Sequence, residues 1–536
     1  MNVCRHVIAL GLALCAVSLP GRADVPRAVT ELMSHHASIA QTGNGQSDNG
    51  TGISDNGRFE IYRSDATDLV PGATDDNGVG DAFLYDRVRQ RNELISRRHD
   101  DAARTASGAS VALALSRDGR FVLFYSEAPD ILPMIDANGG GLSGRDLFLR
   151  DRETGVVRLL TRNTGAATLT SSNAGLFNST LMAADGSYVA FMSTAVDITP
   201  GISNPMARAQ IYIYTRATDS IQMLTTKAGS PTVASNSLNP FVHDVSADGE
   251  YWLFHSDGSD LVSGVASPLG WANLFLFKRD GSSRQLLSRL AGNPNAGCSA
   301  HVRRADMNAD ATRIAFGSEC TTQVSGVSDT NGVEDVFLFQ RPADTLTLLS
   351  HANGQVLEAA NGASSYPKMS AGGDVFFRSM ASNLVAPGID ANAAADIYAR
   401  TTSGAIELIS VAAMSGQAGN GASFIGLDPI SDDGRFVTWS GDASDQDNEV
   451  IDDNGTRDVF IRDRVRGKTE LVSVGASLPL HSANGFSALG MAMTADGTAF
   501  VFGSFGTALS ADHVDGNAVP DAFVGYFGAL FSDGFE

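Results

Sequence analysis

The sequence predicts an all-β protein, a single eight-bladed β-propeller made of four-stranded antiparallel blades. The first observation is a short turn that recurs every 61 to 67 residues. The second is that the segments around each turn are short, aromatic and β-branched, which is typical of strands. The third is that no segment keeps a helical period, so a repeated four-strand unit indicates a propeller. The turn residues are Gly57, Gly119, Gly186, Gly249, Ala311, Gly373, Gly434 and Gly497.

Each repeat has the same internal order. A first strand runs into an Asp-Gly type turn, as in "FVHDVSADG" from Phe241, and a second strand such as "RFVLFYS" from Arg120 follows. A long polar loop then leads to a third strand, "DLFLRDR" from Asp146, and a short turn leads to a fourth, "VVRLLTR" from Val156. Asp-Gly favours a tight hairpin because glycine accepts a positive φ angle.

The two ends of the chain predict how the ring closes. The last repeat stops at its third strand, "DAFVGYF" at residues 521–527. An isolated segment near the N-terminus, "TELMS" at residues 30–34, is similar to the fourth strand "TELVS" at residues 469–473. We expect the N-terminal strand to complete the eighth blade, which also covers an open sheet edge.

The N-terminus predicts export. Arg5 and His6 precede an apolar run from Val7 to Leu19, and small residues precede a cleavage site after Ala23. The run is too short for a membrane span. We therefore expect a signal peptide at 1–23, a short segment at 24–29, the propeller at 30–527 and a tail at 528–536, in a periplasmic or extracellular protein without a membrane span.

Charge and cysteine content limit the partners. The net charge of -22 argues against nucleic acid, whose phosphates would be repelled. We expect a monomer whose partner is an unidentified protein, peptide or glycan. Cleavage of the signal leaves Cys298 and Cys320, which predict a disulfide in an oxidising compartment. The alternative, a metal site, has only His301 nearby as a further ligand.

Two stretches carry a family resemblance. "SRDGRFVLFYS" from Ser116 and "SDDGRFVTWSG" from Ser431, each followed by an Asp-led strand, resemble the WD-repeat-like motif of TolB-type bacterial β-propellers. The resemblance implies the propeller fold. TolB has six blades behind a separate domain and binds lipoprotein partners. Since eight longer repeats occupy this chain, we do not carry that role over.

The loops between second and third strands carry a repeated acidic motif. They share one side of the disc with the blade-to-blade connections, and we call that side the long-loop face. Two carboxylates and an amide could contribute calcium ligands, although calcium prefers six or more oxygens. The alternative is an Asx-type turn that serves the fold. No other cofactor is expected. The candidate ligands are Asp75, Asn77, Asp81, Asp329, Asn331, Asp335, Asp452, Asn454 and Asp458.

No familiar catalytic motif is present, neither G-x-S-x-G nor H-E-x-x-H. The main prediction is therefore an exported, non-catalytic propeller that binds its partner through the long-loop face, with Trp271 as a candidate contact. One alternative is a lyase or hydrolase acting on a polysaccharide at the mouth of the central channel. His, Arg, Tyr and Asp side chains converging there would favour it. The other alternative is a calcium-stabilised structural surface protein.

Overall fold

The computed structural model describes residues 27–139, 144–266, 270–476, 480–510 and 512–527. Within these ranges the regular elements are 34 β-strands, and no α-helix occurs. Eight four-stranded antiparallel sheets account for 32 of the strands. The predicted fold, an all-β eight-bladed propeller, is confirmed. The described ranges also contain no helix that is long and apolar enough to cross a membrane.

Each blade consists of consecutive strands in hydrogen-bonded order, as predicted from the repeat. The first four blades are β2 Gly52–Ile53, β3 Phe59–Ser64, β4 Asp81–Asp86 and β5 Arg91–Leu94; β6 Ser110–Leu115, β7 Phe121–Ser126, β8 Asp146–Asp151 and β9 Val157–Leu159; β10 Leu176–Met182, β11 Tyr188–Ser193, β12 Gln210–Thr215 and β13 Ser220–Met223; and β14 Phe241–Val245, β15 Tyr251–Ser256, β16 Asn273–Lys278 and β17 Arg284–Leu286. A small hairpin, β18 Arg289–Leu290 and β19 Asn293–Gly297, follows the fourth blade.

The other four blades repeat this order, and the eighth takes its outer strand from the N-terminus. They are β20 Val302–Met307, β21 Arg313–Ser318, β22 Asp335–Gln340 and β23 Thr345–Leu348; β24 Ser364–Met369, β25 Val375–Ser379, β26 Asp396–Arg400 and β27 Ile406–Leu408; β28 Ser423–Ile430, β29 Phe436–Gly441, β30 Asp458–Asp463 and β31 Lys468–Leu471; and β32 Ser487–Met493, β33 Ala499–Ser504, β34 Asp521–Phe527 and β1 Ala28–Leu32.

The first strand of every blade faces the axis. Neighbouring first strands contact one another around the whole ring, from β2 through β6, β10, β14, β20, β24, β28 and β32 back to β2. The first strands therefore line the central channel. Most of them contain a β-bulge, for example between Ser365 and Lys368 in β24. A bulge changes the direction in which its side chains point.

The ring closes as the sequence predicts. Strand β1 pairs antiparallel with β34, with Glu31 opposite Val524. The strand begins at Ala28, two residues before the predicted start, and ends at Leu32. Just beyond it, the Ser34 hydroxyl donates a hydrogen bond of 2.8 Å to Asp521. The N-terminal segment thus supplies both the strand and the polar contact that the eighth blade needs.

The core repeats one aromatic contact in each blade. A residue of the second strand stacks on its direct cross-strand neighbour in the third, with ring centroids 5.3 to 6.1 Å apart. Offset aromatic pairs of this kind stabilise a sheet beyond the area they bury. The pairs are Tyr62–Phe83, Phe124–Phe148, Phe191–Tyr212, Phe254–Phe275, Phe316–Phe337, Phe377–Tyr398, Trp439–Phe460 and Phe502–Phe523.

Candidate active site

The channel narrows on the side opposite the long-loop face. There the turns of neighbouring blades are joined by backbone hydrogen bonds, such as Asp55 N–H to the Arg117 carbonyl at 2.7 Å. Arg117 of blade 2 also forms a bidentate ion pair with Asp432 of blade 7, at 2.7 and 2.9 Å. Because one arginine reaches from blade 2 to blade 7, the channel is narrow at this level, and we place the candidate site at the opposite end.

Two histidines of blade 4 pack together near the start of its first strand. Nε2 of His243 lies 2.9 Å from Nδ1 of His255. The Phe241 ring stacks on His255 at 5.5 Å. Burial lowers the pKa of His243 well below its usual value and lowers the pKa of His255 to about 4. The pair is therefore neutral at pH 7, and one ring donates a hydrogen bond to the other.

Arg304 of blade 5 lies between Phe241, which packs on this pair, and Tyr366 of blade 6. Its guanidinium carbon lies 5.8 Å from the Phe241 ring centroid and 5.7 Å from the Tyr366 centroid. Among the described residues, no carboxylate lies within ion-pair distance of it. An arginine held between aromatic rings without a counter-ion is able to bind an anionic group.

Tyr366 has a strained backbone. Its φ angle is +54°, in the left-handed region that bulky residues rarely adopt. The strain belongs to the β24 bulge, which lies between Ser365 and Lys368. The side chain is 42% exposed, unlike the buried tyrosines of the core. Strain of this size persists where the surrounding structure imposes it, which is common at functional sites.

Glu334 is a carboxyl group at this mouth with a partly buried side chain. It is the last residue of the long loop of blade 5, and its buried Oε1 has no hydrogen-bond partner. Burial, chiefly, raises its pKa to about 7, against the opposing effects of Arg303 and Arg304. Gly317 leaves room for the carboxylate, since a Cβ at that position would overlap Oε1.

The mouth thus combines groups that serve acid–base chemistry. Glu334 exchanges a proton near neutral pH, and a catalytic acid or base is most effective when its pKa lies near the working pH. Tyr366 offers a hydroxyl, and the neutral His243–His255 pair can relay a proton. Arg304 can hold negative charge. A carboxyl group with a shifted pKa beside such partners is a candidate functional site.

A second group of charges lies deeper in the channel and mainly holds blades together. Asp244 accepts a hydrogen bond from the Met307 N–H at 3.0 Å, and Asp306 accepts one from the Met369 N–H at 2.7 Å. Each aspartate thereby ties its first strand to the next blade. Burial raises the pKa of both carboxyls, that of Asp244 more strongly.

The predicted calcium ligands form a repeated hydrogen-bond network. In blade 1 the Asn77 amide donates to the Ala106 carbonyl at 2.6 Å, and the Ser96 hydroxyl donates to Asp81 at 2.7 Å. Asn331 with Asp335, and Asn454 with Asp458, make the same kinds of contact in blades 5 and 7. The described residues contain no group of three or more His, Cys, Asp or Glu side chains placed to hold a metal. Calcium binding stays a prediction.

The other predicted residues lie at blades 4 and 5. Cys298 and Cys320 form a disulfide with their Cα atoms 6.3 Å apart. Trp271 is 37% exposed and packs against His301, with ring centroids 4.8 Å apart. A role for Trp271 in binding stays a prediction.

Sequence reasoning missed Glu334, Arg304 and Tyr366. The position before the third strand holds Glu334 in blade 5, whereas the other blades have glycine, arginine, alanine or proline there. A comparison of repeats position by position would have identified Glu334 as an exception. The strain at Tyr366 depends on a bulge, which no local motif in the sequence marks.

The larger clefts lie on the outer rim. One, of about 910 Å³, lies between blades 3 and 4 and is bordered by Lys227, Lys278 and Arg284. Its lining contains no histidine, tyrosine or glutamate. This cleft between blades 3 and 4 therefore offers less acid–base chemistry than the channel mouth, although it is spacious.

Comparison with known proteins places the chain by fold only. No family model and no curated protein matches it. A structure from a study of two prolyl endopeptidases is 13% identical, with a TM-score of 0.44, over 80% of this chain and 49% of that one, so this chain spans about half its length. Oligogalacturonate lyase with manganese is 11% identical, with a TM-score of 0.38, over 79% of this chain and 94% of that one. TolB from Acinetobacter baumannii is 14% identical, with a TM-score of 0.29, over 62% and 63%.

The main functional prediction from the sequence, a non-catalytic binding propeller, is wrong on these findings. The matched structures are mostly of enzymes, among them prolyl endopeptidases, an acylaminoacyl peptidase and oligogalacturonate lyase. Such remote likenesses assign no activity or residue role to this chain. The channel mouth also gathers the histidine, arginine and tyrosine groups expected for an enzyme, with Glu334 as its carboxyl. The resemblance to TolB-type repeats is confirmed at the level of the propeller fold.

Proposed function

We propose that the protein is an enzyme that cleaves a polysaccharide at the mouth of the central channel on the long-loop face. The observation that carries the proposal is Glu334, a carboxyl with a pKa near 7 and a buried oxygen that lacks a partner. It lies close enough to Arg304 for the guanidinium to affect its titration. An uncompensated buried carboxyl costs stability, so its presence fits a catalytic task.

The proposed chemistry is acid–base cleavage of a glycosidic bond. When the carbon–oxygen bond breaks, the leaving oxygen takes the proton of Glu334. In a hydrolase, the hydroxyl of water adds to the carbon and its second proton returns to the carboxylate. In a lyase, a base removes a proton from the neighbouring ring carbon, and the electron pair forms a carbon–carbon double bond. In this proposal the base is Tyr366 or the His243–His255 pair.

The signal-peptide pattern at residues 1–23 supports a substrate outside the cytoplasm. A polymer fits the location, because a channel mouth at the centre of a broad face is open to long chains. The narrowing at Arg117 and Asp432 favours a substrate that lies across the mouth over one that threads through the disc.

The test is cleavage by the purified mature chain of neutral, carboxylated and sulfated polysaccharides, with new chain ends as the readout. Glu334→Gln keeps the size of the side chain and replaces its titratable carboxyl with an amide. We expect the rate to fall about 100-fold or more, the usual contribution of a general acid or base. The matched control is Glu358→Gln, an exposed glutamate that precedes blade 6.

The control variant should cleave at the wild-type rate. Failure of the wild-type chain to cleave any of the polysaccharides would contradict the proposal. Equal rates for Glu334→Gln and Glu358→Gln would contradict the role of Glu334.

A further inference from the structure

Aromatic and arginine side chains continue from the candidate site across blades 6, 7 and 8. Arg378 lies over the Phe424 ring at 4.6 Å. Arg457 lies over the same ring at 3.6 Å and over Phe486 at 5.5 Å. Phe486 in turn contacts Phe505, with centroids 6.3 Å apart. We call Tyr366, Arg378, Phe424, Arg457, Phe486 and Phe505 the arginine–aromatic track.

The track is exposed, and packing alone does not explain it. Phe486 is 39% exposed and Phe505 is 53% exposed, whereas the eight cross-strand aromatic pairs of the core are buried. Single apolar residues on a surface are ordinary, but a continuous row of them beside a candidate site indicates a binding surface. The row follows the rim of the channel mouth from blade to blade.

The charged residues of the track are arginines, whereas the chain as a whole is acidic. The protein has 60 acidic and 38 basic residues. Arg304 and Arg378 nevertheless have no carboxylate within ion-pair distance among the described residues. The Arg378 guanidinium donates a 3.1 Å hydrogen bond to the Ser423 carbonyl, and burial lowers its pKa. In an acidic protein, arginines left without counter-ions at one rim favour an external anion.

We infer that the substrate is a polyanionic polysaccharide, whose acidic groups pair with Arg304 and Arg378 and whose sugar rings lie on the aromatic faces of the track. This inference rests on the proposed function, because it names the substrate class of that same site. The track extends over three blades beyond Arg304, so several sugar units bind at once. Binding of an extended chain predicts cleavage within polymers in preference to short oligosaccharides.

Single-stranded nucleic acid also binds to aromatic and arginine side chains, but a glycan fits this rim better. Exposed carboxylates stand beside the track: Asp442 pairs with Arg457 at 2.9 Å, and Glu319 pairs with Arg303 at 2.7 Å. Carboxylate oxygens accept hydrogen bonds from the several free hydroxyls of a sugar unit, whereas a nucleotide within a strand offers at most one such hydroxyl.

The test uses the mature chain with Glu334→Gln, so that binding is measured without cleavage. Alginate, dextran sulfate, neutral dextran and a thymidine oligonucleotide serve as probes, which separates carboxylate from sulfate and glycan from nucleic acid. We expect binding to alginate or dextran sulfate that weakens with salt. Adding Arg378→Gln should weaken it about tenfold, the effect of losing one charged hydrogen bond.

Two further variants keep the inference falsifiable. Phe486→Ala removes an exposed ring and should weaken binding without lowering the melting temperature. Arg91→Gln, on the exposed outer strand of blade 1, is the matched control and should bind as before. Equal binding of neutral dextran, stronger binding of the oligonucleotide, or no effect of Arg378→Gln would overturn the inference.

The two proposals fail in different ways. If the wild-type chain cleaves a neutral polysaccharide and binds no polyanion, the proposed function stands and the substrate class is wrong. If polyanions bind through Arg378 but the wild-type chain cleaves none of them, the substrate-binding surface stands and the enzymatic function is wrong.

Discussion

Glu334 controls the expected pH dependence of cleavage. As a general acid it must be protonated, and its pKa is about 7. We therefore expect kcat/KM to fall as the pH rises through about 7, because the proton needed by the leaving oxygen is lost. The measurement is a pH–rate profile of the wild-type chain and of Glu334→Gln. An inflection that persists unchanged in the variant would assign that titration to another group.

The aspartate that begins the third strand controls a second pH effect, on stability. Burial raises the pKa of Asp458 from 3.8 to about 7. Between pH 3.8 and about 7, the folded chain keeps a proton on Asp458 that the unfolded chain has lost. The stabilisation is therefore complete below pH 3.8 and is lost as the pH rises through about 7.

Asp458→Asn removes that titration, so its unfolding free energy should depend less on pH between 5 and 8 than that of the wild type. Thermal and denaturant unfolding at both pH values measure the difference. Asp453→Asn is the control, because Asp453 is exposed and pairs only at the surface with His481. The same pH dependence in the wild type and in Asp458→Asn would contradict the buried titration.

At the residue scale, little of the candidate site follows from the sequence. Glu334 acquires its properties from burial behind Gly317 and from two arginines of another strand, and these are tertiary effects. His243 and His255 are twelve residues apart, and they meet only because their strands pair. No local spacing predicts such contacts.

At the element scale, the sequence predicts far more. The Asp-Gly type turns and the alternation of apolar residues in the strands depend on neighbouring residues alone. The repeats can therefore be identified from the sequence without tertiary information. Even the degenerate turn of blade 5 keeps its geometry, since Ala311 has a φ of +54° where the other blades use glycine. The similarity of residues 30–34 to residues 469–473 predicts strand β1, which starts two residues earlier because strand ends depend on pairing.

The acidic loops are the elements whose role the sequence left open. Their asparagine amides and the neighbouring serine hydroxyls donate hydrogen bonds within the loop and to the next connection. In blade 1 these bonds, together with the one from the Val79 N–H to the Asn77 amide oxygen, use the Asp81 and Asn77 oxygens, so we expect folding to need no calcium. Added calcium and added chelator should both leave the melting temperature unchanged. A rise in melting temperature with calcium would establish the loops as ion sites.

At the scale of the whole molecule, the two ends of the central channel differ. The end at Arg117 and Asp432 is narrow and joined by backbone hydrogen bonds. The other end carries Glu334, Arg304, Tyr366 and the arginine–aromatic track. The repeated residues build the disc, and the residues that depart from the repeat supply the acid–base and binding groups. Blades 4 to 8 contribute these exceptional residues, and the ring brings them together at one mouth.

The most direct test of this account is a crystal structure of the Glu334→Gln chain with an anionic oligosaccharide. The account predicts sugar density at the channel mouth, with an acidic group on Arg304 and a glycosidic oxygen beside residue 334. Density in the rim cleft between blades 3 and 4, or no bound sugar at concentrations that saturate cleavage by the wild type, would contradict it.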